Sequence, residues 1–158
     1  MTNKKILDTL KKTSLAYEII KIDPEFADTY KFCEKYNYPI NKSANTIIVC
    51  SKKEPITFAA AIISASRKLD VNHRLKELMS VGRISFAKSE QTKEVTGMMI
   101  GGVTLFGLPK NLKIYSDKQL LYLDYKILGG GGRSTKIKIS PNVLNIIKQV
   151  QIIENLAI

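Results

Sequence analysis

The chain has a single histidine, two cysteines and far fewer acidic than basic side chains. Each shortage excludes something. One imidazole cannot build a histidine-rich zinc site, and a serine triad would have to use His73 as its base. His73 lies in Asp70-Val71-Asn72-His73-Arg74-Leu75, the pattern of a helix start, where an exposed first-turn histidine is expected. Cys33 and Cys50 form no Cys-x-x-Cys pair. Cys33 sits among aromatic residues and Cys50 ends an apolar run, so both read as small buried thiols in a reducing compartment. No apolar stretch approaches the roughly 18 residues of a membrane span. Met1 to Lys5 opens no apolar secretory core. The expectation is a soluble cytoplasmic protein with no membrane partner. Phosphate-loop and dinucleotide-loop patterns are missing, and Ser64, Ser66 and Thr104 lack a nearby GxSxG or SxxK context. With no linker, repeat or low-complexity tract, residues 1–158 are expected to form a single domain.

What the chain does have is positive charge. Lysine and arginine number 25 against 14 acidic residues, a net charge of +11. Nucleic acid is the commonest partner of such a surface, through phosphate contacts and counterion release. An anionic membrane is the second, and a lysine-rich solvated surface the third. The lysines are spread along the chain, and no basic arm or basic amphipathic helix stands out.

Seven of the nine glycines fall in two clusters, Gly101-Gly102-Val103-Thr104-Leu105-Phe106-Gly107 and Gly129-Gly130-Gly131-Gly132-Arg133-Ser134. Glycine inside folded structure costs backbone entropy, so these runs need a reason: positive φ, a bulge, or backbone packed close to a ligand. Apolar flanks argue against a floppy linker. Two tight turns at strand ends, or two walls of one pocket built from main chain, both satisfy the pattern.

Periodicity gives the elements around them. Ile6, Leu7 and Leu10 predict a short amphipathic helix to about Thr13. Tyr17 to Ile22 reads as a strand and Phe26 to Tyr36 as a helix closed by Asn37 and Pro39. Thr46 to Cys50 and Ile56 to Ile63 read as a hairpin around Lys52-Lys53-Glu54-Pro55. Asp70 or Asn72 would cap a helix running to about Ser80. A strand at Arg83 to Ala87 and a helix from Ser89 to Gly97 precede the first glycine cluster. Leu112 to Tyr115 is a strand, followed by a helical turn from Asp117 to Leu121. Strands Tyr125 to Leu128 and Lys136 to Ile139 flank the second cluster, and the alternation at Lys136-Ile137-Lys138-Ile139 predicts one solvated face. Pro141 opens a last helix with Val143, Leu144, Ile146, Ile147 and Val150 as its core stripe. The irregular interleaving predicts an α+β fold with a mixed sheet.

The residues show no side-chain catalytic machine. Asp70, Glu77, Glu90, Glu94, Asp117 and Asp124 pair at no spacing suited to acid–base catalysis, and solvated faces are their default. Gly129 to Ser134 can form a backbone nest for an anion, with Arg133 adding a fork of donors. Any chemistry would rest on backbone donors aimed at developing negative charge.

One ordered set of motifs is distinctive. It runs Ser43-Ala44-Asn45-Thr46-Ile47-Ile48-Val49, then Arg67-Lys68-Leu69-Asp70, Val95-Thr96-Gly97, Gly101-Gly102-Val103-Thr104-Leu105-Phe106-Gly107-Leu108-Pro109, and Gly131-Gly132-Arg133-Ser134 with Ile137 to Pro141. Over residues 16 to 150 it resembles the YbaK/ProX family, the prolyl-tRNA-synthetase-associated editing domain. The resemblance implies a single α+β domain with a curved, barrel-like mixed sheet and surrounding helices. It implies hydrolysis in trans of the ester of a mischarged tRNA, with no metal and no organic cofactor. The implied partners are the tRNA 3′ end and, optionally, an aminoacyl-tRNA synthetase; the oligomeric state is left open.

Carried over by position, Gly101 and Gly102 form the loop at the terminal ribose and aminoacyl ester, and Asn45 holds the aminoacyl or ribose group. Gly131, Gly132, Arg133 and Ser134 form the opposite rim. Thr46, Ser64 and Val103 join the pocket lining. Two positions depart from the family pattern. Asn45 stands where many active members carry lysine, marking an asparagine-bearing branch, and Ser134 stands where glycine is frequent. A lysine brings a charge where asparagine brings only neutral dipoles, a difference of about 1.5–3 kcal/mol in a charge-assisted contact. Two functions therefore follow from the sequence: a trans-acting aminoacyl-tRNA deacylase, or a non-catalytic module that binds aminoacyl-tRNA, an amino acid or a synthetase in the same pocket.

Overall fold

A computed structural model describes residues 3–158, leaving Met1 and Thr2 of the N-terminal stretch outside the described residues. Helix α1 (Lys4–Lys12) starts where the Asn3 side chain accepts the Ile6 N–H at 3.0 Å, and it buries Ile6 and Leu10. Strand β1 (Tyr17–Lys21) leads into a 3-10 turn at Pro24–Phe26 and then α2 (Thr29–Tyr36). The sequence predicts one continuous helix from Phe26. It is interrupted because Asp28 turns extended, with its carboxylate accepting the Tyr30 and Lys31 N–H groups, and so starts a new helix. Asn37 ends α2 in the left-handed conformation, φ 59°.

The hairpin forms as expected. Strands β2 (Ala44–Ser51) and β3 (Phe58–Ser64) pair antiparallel, with Asn45 opposite Ile63 and Ile48 opposite Ala60. Next come α3 (Arg74–Met79), β4 (Ile84–Phe86) and α4 (Ser89–Thr96), the last closed by Gly97 at φ 73°. Neither Asp70 nor Asn72 caps α3. The helix starts after His73, whose largely exposed ring sits 3.2 Å from the Asp70 carboxylate. Strand β5 (Lys113–Asp117) is followed by a 3-10 segment at Lys118–Tyr122, opened by the Asp117 carboxylate, and then by β6 (Lys126–Gly129) and β7 (Thr135–Ile139).

The C-terminal segment differs most from the sequence reading. The helix is a single turn, α5 (Val143–Ile146), because Ile147 turns extended. Val150, read as part of a helical stripe, instead begins strand β8 (Val150–Ile153), parallel to β5. A β-branched run beside an unpaired strand edge gains more from ladder bonds than from a second helical turn.

The fold is α+β with a mixed arrangement of strands. A three-stranded antiparallel sheet has the order β1-β7-β6, and a five-stranded sheet has the order β4-β2-β3-β5-β8. They do not close into a barrel. A bridge between Ser43 and Ile127 links them. The main core, including Ile6, Leu10, Ile48, Phe106, Leu128 and Ile137, fills the space between the sheets. A second cluster around Val49, Ala61, Leu75 and Tyr115 backs the larger sheet. Both cysteines are buried, as expected.

One detail of pairing positions the site. Strand β4 meets β2 only at Val49–Ser51, leaving the edge from Ala44 to Ile48 without a strand partner there. Ser51 N–H donates to Thr57 O and Ala65 N–H donates to Ser43 O. Odd-numbered residues of β2 therefore bond β3, and Thr46 and Ile48 turn their backbone polar groups to the opposite edge. Ala87 N–H takes the Ile48 carbonyl on that side.

Candidate active site

Beyond the Ser43–Ile127 bridge the two sheets diverge, and a cavity of about 350 Å³ lies between the β2 edge and the β6–β7 sheet. This is within the usual size range of small-ligand sites. Residues Ala44 to Ile48 form one wall, and Gly101, Val103, Gly129 and Lys136 form another. Asp28, Thr29 and Tyr30, from the start of α2, stand at one end; Phe86, Ala87 and Thr92 stand at the other.

The two glycine clusters meet here. Gly131 N–H donates to Gly102 O at 2.6 Å, so the loops lie backbone against backbone. A Cβ on Gly102 would fall 2.1 Å from the Gly132 carbonyl oxygen, and one on Gly129 would fall 2.4 Å from Val103 O. No other residue fits this approach at Gly102 and Gly129. Gly102 N–H is itself committed to Met99 O at 2.9 Å. Arg133 straps the outside: its guanidinium reaches Pro24 O at 3.3 Å and Ile100 O at 3.5 Å.

Of the residues singled out from sequence, Asn45, Thr46, Gly101 and Val103 line the cavity. Asn45 Oδ1 accepts a 2.7 Å hydrogen bond from the Thr29 hydroxyl, which joins β2 to α2 across the mouth. The Thr46 hydroxyl is buried without a hydrogen-bond partner. Gly102, Gly131 and Gly132 lie behind the wall and shape it. The Ser134 carbonyl accepts the Ile22 N–H and so anchors the loop to the end of β1. Ser64 is not brought to the cavity. It lies at the far end of β3, opposite Ala44, with its hydroxyl 2.8 Å from that of Ser66.

Over residues 23–145 the chain matches the family model described as the aminoacyl-tRNA editing domain. The chain belongs to that family. The matched span contains the hairpin, both glycine clusters and every cavity residue. Among solved structures, hypothetical protein APE2540 superposes with a TM-score of 0.85 at 20% identity, over 98% of this chain and 100% of that one. A proposed trans-editing enzyme for prolyl tRNA synthetase superposes with a TM-score of 0.80 at 17% identity, over 96% of this chain and 94% of that one. At these identities the likeness establishes the fold. No helix among the described residues is long and apolar enough to cross a membrane.

This editing domain holds features that the sequence reading missed. Lys136 was expected on a solvated face; instead it is 5% exposed and lines the cavity. Its ammonium donates to Ala27 O at 2.8 Å and to Gly101 O at 3.5 Å, and stands 5.6 Å from the centre of the Phe32 ring. Burial pulls its pKa below the usual lysine range; Cys33 and Asp28 oppose that shift and Arg133 reinforces it. The alternation rule fails because β7 has neighbours on both faces: the core takes Ile137 and Ile139, while Ala27 and the Phe32 ring of α2 cover Lys136. The rim was also illegible. Tyr30 is 63% exposed, Phe86 57% and Ile100 48%, and all three border the cavity. Three large apolar side chains left in solvent around one opening mark a contact surface.

Proposed function

We propose that this editing domain hydrolyses, in trans, the ester linking an incorrect amino acid to the 3′ end of a tRNA. The observation that carries the reading is the convergence of both glycine clusters with Asn45 and Thr46 on one cavity. Its volume suits an aminoacyl group and part of a ribose. The exposed rings of Tyr30 and Phe86 at the mouth offer faces for unpaired bases, which stack on aromatic side chains without regard to sequence. The positive surface supports the acceptor stem through its phosphates.

Within this reading, the ester enters between the glycine wall and the edge of β2. Water attacks the carbonyl carbon, and the C=O electron pair moves to the oxygen. Of the two amides considered from sequence, that of Gly102 already bonds Met99 O, leaving the Gly101 N–H to donate to that oxygen. As the carbonyl re-forms, the ester C–O bond breaks. The ribose oxygen leaves with the proton given up by the water, which its neighbouring hydroxyl positions. The products are a free amino acid and a tRNA with its 3′ end restored. Asn45, oriented by Thr29, and the unpartnered Thr46 hydroxyl hold the aminoacyl group. A synthetase partner, specific for the tRNA whose errors are removed, fits an enzyme acting in trans.

A non-catalytic binding role draws support from one observation. Asn45 brings no charge to β2, and its oxygen is already engaged by Thr29. A panel of mischarged tRNAs incubated with the protein, and with Asn45→Lys, separates the two. Deacylation of at least one tRNA well above the buffer rate is expected. No deacylation by either protein overturns the catalytic reading, and retained salt-sensitive tRNA affinity would then leave the binding module.

A further inference from the structure

Among the described residues two lysines are buried, and one of them meets the cavity. Lys126 is 2% exposed, donates to Asn41 O at 2.9 Å and lies away from the cavity lining. Lys136 projects from β7 to the cavity wall. Its two acceptors are neutral carbonyl oxygens, one at ordinary distance and one long. Among the described residues no carboxylate lies within ion-pair distance of it; Asp28 acts on it only from farther away. A buried ammonium without a counter-ion is an expensive arrangement unless something else meets its charge. An ammonium carries three protons, and two carbonyls leave one for a further acceptor. Lys136 and Asp28 are also the charged groups of the cavity lining.

We propose that Lys136 is a substrate-binding residue whose ammonium, held between the Ala27 and Gly101 carbonyl oxygens, donates to the carbonyl oxygen of the bound aminoacyl group. The inference rests on the editing reading and names the cation of that site. It places the positive charge on β7, across the cavity from β2, where Asn45 has none. Asp28, at the mouth, is the complementary site for the α-ammonium of the same aminoacyl group. A ligand carrying an ammonium and a carbonyl oxygen a few ångströms apart thus meets opposite charges in the matching order. Because the contact strengthens as the carbonyl oxygen gains negative charge, Lys136 acts on turnover as well as on affinity. Its neighbours Asp28, Cys33 and Arg133 are the titratable and charged groups that set its protonation.

The test uses 3′-aminoacylamino-3′-deoxyadenosines, whose amide replaces the labile ester, with a series of small aminoacyl groups. Binding is measured by calorimetry, and folding of each variant is checked by circular dichroism. Lys136→Met is expected to weaken the analogue bound by wild type about ten- to a hundred-fold, the range for losing one charge-assisted hydrogen bond. Lys126→Met, the buried lysine away from the cavity, is expected to leave binding within three-fold. The double variant Asn45→Lys/Lys136→Met, which returns an ammonium from the opposite wall, is expected to recover at least five-fold over Lys136→Met. Lys136→Met binding within three-fold of wild type overturns the assignment while leaving the editing reading intact. A folded Lys136→Met that loses binding with no recovery in the double variant also overturns it, since the lysine then only ties Ala27 to the glycine loop. A wild-type protein that binds no analogue and deacylates no tRNA overturns the editing reading and this assignment together.

Discussion

The Gly102 carbonyl oxygen accepts a 2.6 Å hydrogen bond from the Gly131 N–H, joining two loops that are far apart in sequence into one wall. The close approach requires glycine at Gly102 but not at its neighbour across the contact, Gly132. A Cβ at Gly102 would overlap the Gly132 carbonyl, whereas a Cβ at Gly132 would meet nothing within 4 Å. Gly102→Ala is expected to destabilise the fold by about 1–3 kcal/mol, the range for overpacking, and to lower deacylation. Gly132→Ala is expected to stay within about 0.5 kcal/mol of wild type. Thermal denaturation of the two variants side by side checks the contrast.

The Thr29–Asn45 hydrogen bond links the start of α2 to the edge of β2. Thr29→Val, Asn45→Ala and the double variant form a cycle whose coupling should be about 1 kcal/mol, measured by denaturant unfolding. Deacylation should fall in both single variants, and by less than the product of the two effects in the double.

Phe86 is exposed at the cavity mouth. Phe86→Ala should weaken binding of a tRNA 3′ end by about 1–3 kcal/mol if a base stacks there, with stability unchanged. Tyr30 carries a second role, since its hydroxyl donates to Ala65 O at 3.1 Å. Tyr30→Phe should therefore keep RNA affinity and lose only that bond, while Tyr30→Ala should lose both. Fluorescence titration with a CCA-ended oligonucleotide distinguishes these results.

Stability should depend on pH through the buried lysines. Burial lowers the Lys126 pKa from 10.5 to about 8; the nearby Lys42 reinforces the shift and Asp117 opposes it. Between about pH 8 and 10.5 the unfolded chain then binds more protons than the folded one, so stability rises with pH across that window. Lys136 is shifted in the same direction and adds to the rise. Lys126→Met should be as stable as wild type or more so at pH 7, and its alkaline rise should be smaller. Urea denaturation at pH 7, 8, 9 and 10 measures both.

The sequence made the hairpin, the helix ends at Asn37 and Gly97, and the paired strands around the second glycine run legible, because each rests on local patterning. It did not reveal β8. Val150 satisfies a helical stripe as well as a strand, and only the vacant edge of β5 decides between them. Nor did it reveal the buried Lys136, since a period-two pattern cannot say that Ala27 and Phe32 of the α2 segment fold back over it. Asn45 and Gly101 were legible as candidate residues through motif order, and both line the cavity. Tyr30, Phe86 and Ile100 were not, because exposure of an apolar side chain is a property of the finished surface. Ser64 is not among the cavity residues because it sits on β3, which pairs with β2 on the side away from the edge that faces the cavity.

The unpaired edge of β2 has a consequence for how such a site diversifies. Its contribution at Thr46 is peptide N–H and C=O, groups that any residue other than proline supplies equally. A substitution in the surrounding side chains changes the size or polarity of the chamber while these anchor points stay fixed. On the editing reading, the side-chain contacts of Asn45 and the Thr46 hydroxyl are then the part of the site that changes in small steps as the preferred group changes, while the strand that carries them keeps its course.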